Sequence, residues 1–150
     1  MNRIRQASLF AIVVLAATLA RSEVTVTEAW VRGTVPGQKA TGVYMKLKST
    51  EDVSLVNAAS PVAGIVEIHE MVMRDNIMAM RSIDDVPLPA GKTVELKPGG
   101  HHVMLMDLFK PLAKGDKVPV TLTFVGKGNK RTRLEIKAEV MAPGAMPGHK

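Results

Sequence analysis

His69, Met80, His102 and Met104 follow the pattern H-x10-M-x21-H-x-M. Two imidazoles and two thioethers make a ligand set suited to copper(I). Thioether sulfur is soft and favours Cu(I), and imidazole suits copper in general. The chain has 4 His and 10 Met but no Cys, so no thiolate competes for that role. No carboxylate belongs to the set, which turns the preference from Cu(II) towards Cu(I).

These donors need a frame that holds them in place. The 150 residues suit one domain. Residues 1–22 read as a secretory signal, with Arg3 and Arg5 before an uncharged apolar run at residues 7–20 and cleavage after Ala20 or Ser22. That run is shorter than the roughly 18–20 residues that span a bilayer, so no membrane span is expected after cleavage. Residues 23–140 form the expected domain. Residues 141–150 form a Pro/Gly-rich tail carrying Met146 and His149. Export leads to an oxidising compartment, yet no disulfide and no thiol chemistry is open to this chain. That excludes a thiol–disulfide oxidoreductase. It also argues against blue-copper electron transfer, which uses a Cys thiolate. The net charge is +6, with one basic cluster at residues 127–133. Trp30, Tyr44, Phe109 and Phe124 are too few aromatics for a single-stranded nucleic-acid platform, so no nucleic-acid partner is expected.

Short apolar runs between turn residues predict strands at 24–31, 42–47, 53–58, 65–73, 77–83, 93–96, 102–108, 118–125 and 131–140. Residues 87–91 (PLPAG) read as a turn, and residues 109–113 as one possible helical turn. Strands at this spacing imply an all-β sandwich or barrel.

Strand side chains alternate between faces, so His102, Met104 and Met106 share one face. His101 points the other way, with Val103 and Leu105. His69, Met71 and Met73 share a face by the same parity. A two- or four-residue loop within the Arg74, Asp75, Asn76 hairpin sets Met71 opposite Met80 and His69 diagonal to it. A three-residue loop would turn Met80 to the opposite face, unless a bulge restored it. The site therefore requires one hairpin register, and it requires the 102–108 strand to lie close by. Met45 reads as core. Met78 and Met106 read as core filling or as support around the site, and Met71 and Met73 as ligand surroundings or an exposed apolar rim.

Along nearly the whole mature region the chain resembles the PCu(A)C family of periplasmic copper chaperones. The resemblance is carried by the spaced His/Met motif, by AWVR at 29–32, SPVAG at 60–64 and VEIHEM at 66–71, by MAMR at 78–81, LKPGG at 96–100 and HVMLM at 102–106, and by VPVTLTF at 118–124. It implies a cupredoxin-like Greek-key β-sandwich that binds one Cu(I) through His69, Met80, His102 and Met104. It further implies a non-enzymatic periplasmic carrier that delivers copper to the CuA site of cytochrome c oxidase subunit II, in some cases alongside a Sco-type protein. His/Met tails like residues 141–150 are linked in some members to a second copper ion. Copper sequestration for tolerance, without delivery, is the alternative function.

Overall fold

The computed structural model describes residues 23–145. The expected signal segment, residues 1–22, lies outside them, as do tail residues Met146 and His149. The described chain forms ten strands: β1 (Val24–Arg32), β2 (Ala40–Ser49), β3 (Val53–Ala59), β4 (Ala63–Arg74), β5 (Ile77–Ser82), β6 (Val86–Leu88), β7 (Thr93–Leu96), β8 (His102–Leu108), β9 (Lys117–Gly126) and β10 (Arg131–Met141). One 3₁₀ turn, Lys127–Asn129, caps the β9–β10 hairpin. No helical turn forms at residues 109–113, which run as bends and extended chain.

Hydrogen bonding runs through the strands in the order β5-β4-β8-β2-β1-β10-β9-β3-β6, with β7 paired to the second half of β2. Every pair is antiparallel except β1 with β10. The path curls back on itself. β3 and β4 meet across a shallow cleft lined by Val56, Ala58, Val66 and Ile68. The result is an all-β, cupredoxin-like Greek-key sandwich whose layers are joined by continuous hydrogen bonding rather than split into two sheets.

Alternation explains which side chains fill it. Val118, Val120, Leu122 and Phe124 of β9 all point inwards, as do Val43, Met45 and Leu47 of β2 and Val103 and Leu105 of β8. They form one core with Val31, Leu55, Leu88 and Val140. Strand β6 replaces part of the expected 87–91 turn. Val86 and Leu88 are buried on either side of Pro87. Proline is tolerated there because β6 ends the path and needs ladder bonds on one side only.

Candidate metal centre

The centre is built on the outer face of the sheet, opposite the core. The β4–β5 hairpin closes through Asp75 and Asn76, whose φ values of 48° and 64° put both in the left-handed region. Such a two-residue turn twists with its strands, and Asp and Asn tolerate that region better than most residues. Arg74 pairs with Ile77, so Met71 sits opposite Met80 and His69 opposite Ser82. That is the register the metal hypothesis requires.

Strand β8 lies on the other side of β4, with His69 directly opposite His102 and Glu67 opposite Met104. The hairpin and β8 thus bring His69, Met80, His102 and Met104 to one face across three adjacent strands. Tyr44 of β2 extends this face, its ring centroid 6.1 Å from that of His102. His101 takes the opposite parity and lies 3.4 Å from Glu70, away from the centre. Met45 is buried in the core. Met78 corrects one expectation: it is about half exposed rather than core filling, because it pairs with Met73 on the outer face of the hairpin.

The two imidazoles are buried, His69 at 9% exposure and His102 at 4%, whereas Met80 is 52% exposed. Their rings meet edge to face with centroids 5.8 Å apart. Two rings sharing one ion through nitrogens about 2 Å from it have centroids about 6 Å apart or less, so this spacing fits.

Each ring has a partner that fixes its tautomer. His69 donates from Nε2 to Glu67 Oε2 at 2.8 Å. Its Nδ1 is then the lone-pair nitrogen, and it is buried without any hydrogen-bond partner. A buried acceptor left unsatisfied is costly, and a metal ion is one way to satisfy it. His102 donates from Nδ1 to the Gly100 carbonyl at 3.1 Å, which leaves Nε2 with its lone pair free. Burial holds the His102 pKa below its ordinary value, and the hydrogen bond to the Gly100 carbonyl partly opposes this. A neutral imidazole is the form that binds a metal. Among the described residues no three His, Asp or Glu side chains are grouped to hold a metal.

Several surrounding residues escaped the sequence reading. Trp30 stacks on Tyr44 with centroids 4.6 Å apart, and the Arg32 guanidinium lies 5.7 Å from the Tyr44 ring centre. They reach this face through a bulge. Val24 and Val26 of β1 carry the inward parity, and the register slips by one between Thr27 and Trp30, where Glu28 adopts a φ of 52°. The extra residue turns Trp30 and Arg32 outwards and Val31 into the core. Gly42 makes room for the Tyr44 ring, since a Cβ there would collide with the phenol. Burial raises the Tyr44 pKa, and Arg32 partly offsets this. Glu67 could have been found from parity, being two residues before His69. The Trp30–Tyr44 wall could not, because it depends on the β1–β2 and β2–β8 pairings, which are tertiary.

A family model described as "Putative lipoprotein LpqE-like" matches residues 24–140, and the chain belongs to this LpqE-like family. A curated relative is the "Putative lipoprotein Lxx21020" of Leifsonia xyli subsp. xyli, 36% identical over 102 residues, which are 67% of this chain and 61% of the relative. The chain therefore spans less than two thirds of that protein's length. Solved structures similar to it include the Cu(I) form of DR1885 from Deinococcus radiodurans, at 30% identity and a TM-score of 0.59, covering 83% of this chain and 80% of that one. The apo PCuAC domain from PmoF1 matches at 26% identity and a TM-score of 0.65, covering 80% and 94%. The neighbouring folds are thus PCuAC copper-binding domains, while the family that matches by sequence is the LpqE-like one.

Proposed function

We propose that the protein is an exported Cu(I)-binding metallochaperone of the PCuAC type, holding one ion through His69 Nδ1, His102 Nε2 and the sulfurs of Met80 and Met104. The observation that carries this reading is the buried, partnerless Nδ1 of His69 on the strand directly beside His102. Likeness to a protein solved in its Cu(I) form supports the choice of ion. A lipoprotein-like family description supports export, with the periplasm as the compartment. Among the described residues no helix is long and apolar enough to cross a membrane.

The donor set suits a carrier rather than an enzyme. Thioethers bind without releasing a proton, and both imidazoles are held in tautomers with a free nitrogen. All four donors stand on strands, so little rearrangement accompanies loading or release. Met80 is the most exposed donor, which makes it the one to exchange first against a recipient's ligand. Cytochrome c oxidase subunit II, at its CuA site, is the recipient proposed by resemblance, with a Sco-type protein as a possible co-worker.

An anaerobic Cu(I) titration against a chromophoric chelator tests the binding step. The wild type should hold one tight equivalent, and M80I/M104I should lose it while remaining folded. Unchanged affinity in that double variant would overturn the assignment. A deletion strain grown at low copper tests delivery: normal oxidase assembly would leave sequestration as the function.

A further inference from the structure

The hairpin that supplies Met80 carries more sulfur than one centre uses. Met71 lies opposite Met80, and Met73 lies opposite Met78 one step nearer the turn. By strand parity all four stand on the face that carries His69. Directly opposed residues have Cβ atoms about 4.5–5.5 Å apart and diagonal ones about 7–8 Å, which three-bond thioether arms can close. Exposure rises along β4 towards the tip, while on β5 Met80 and Met78 are both about half exposed. His69 and His102 are buried, Met71 is half buried, and Met73 is 63% and Met78 48% exposed.

Strand β5 is also an end strand of the path. Such edges are commonly guarded by charged residues. Here the outer face of the tip carries methionine instead, and Glu70 with its partner Arg81 lies on the opposite face.

We propose that Met73 and Met78, with Met71 behind them, form a second, thioether-only Cu(I) position at the hairpin tip, through which the ion passes between the buried centre and a partner. The cargo rests on the copper reading above; the position itself rests on the two methionine pairs. A sulfur-only set without carboxylate selects a soft monovalent ion and rejects hard divalent ones. The rival explanation is an apolar docking rim, for which any hydrophobic side chain of similar size would serve. Substitution by leucine separates the two, because it keeps the apolar volume and removes the sulfur.

The test uses the full chain labelled with ¹³C at the methionine methyls and titrated anaerobically with Cu(I) supplied as its acetonitrile complex. The first equivalent should shift the Met80 and Met104 methyls. A second should shift Met73 and Met78 together. M73L/M78L should lose that second equivalent, keep the affinity of the first, and release it more slowly to a chelator. Met73 and Met78 methyls that stay unmoved through added equivalents would overturn the tip position. An unchanged release rate in M73L/M78L would overturn its role in transfer. Failure of the buried centre would show separately, as unmoved Met80 and Met104 methyls at the first equivalent.

Discussion

Glu67 offers the sharpest test of how this face prepares His69 for metal. Its carboxylate accepts the Nε2 proton at 2.8 Å and so leaves Nδ1 as the lone-pair nitrogen. Outer partners of this kind typically contribute 10–100-fold in metal affinity. The Glu67 side chain is 42% exposed, so solvent screens its charge and places the effect at the low end of that range. Glu67→Ala should weaken Cu(I) binding by roughly tenfold, about 1.4 kcal/mol. Glu67→Gln keeps an acceptor oxygen without the charge and should lose less. The position is exposed enough that the stability of the apo protein should change by no more than about 0.5 kcal/mol. Competition with a Cu(I) chelator measures the first effect and urea unfolding the second. Nitrogen-15 NMR of the apo protein reads the tautomer directly, with the proton expected on Nε2 of His69 in the wild type and distributed over both nitrogens in Glu67→Ala. Binding by Glu67→Ala within twofold of the wild type, or a wild-type His69 protonated on Nδ1, would refute the reasoning.

Two further outcomes follow from the surrounding wall. Gly42→Ala drives a methyl into the Tyr44 ring, which is pinned between Trp30 and Arg32; overpacking of this kind costs about 1–3 kcal/mol, and urea unfolding of the apo protein should show a loss in that range, whereas equal or greater stability would contradict the placement of Tyr44. His102 in the apo protein should titrate below the ordinary histidine value of 6.5, chiefly because it is buried. With the folded pKa lowered, the unfolded chain takes up the proton first, so the stability contributed by neutral His102 is complete above 6.5 and is lost as pH falls through the folded pKa. A proton NMR titration with a midpoint at or above 6.5 would contradict this.

Most of the frame could be read locally. Strands 93–96 and 102–108 match β7 and β8 residue for residue, because alternation and flanking Gly and Pro bound them on both sides. The hairpin register was reduced to a few options by parity, and the backbone of Asp75 and Asn76 selects the two-residue turn. Strand β6 was missed because Pro87 and Pro89 read as turn residues, and only its place at the end of the sheet accommodates the first of them. The meeting of His69 with His102 depends on the β4–β8 pairing, a tertiary choice that neither segment encodes alone. The bulge that turns Trp30 outwards was only half visible: alternation breaks after Thr27, but only pairing with β2 shows that the break is a one-residue slip within a continuous strand.

The parallel pairing of β1 with β10 has a consequence for biogenesis. β1 and β10 are the first and last strands among the described residues, yet Val31 pairs with Val140 and both are buried in the core. β10 also lies between β1 and β9. The sheet therefore cannot close until β10 has been made. The candidate site, on β5, β4 and β8, lies at the other end of the path from β9, β3 and β6, so its strands can pair with one another before β10 joins the sheet.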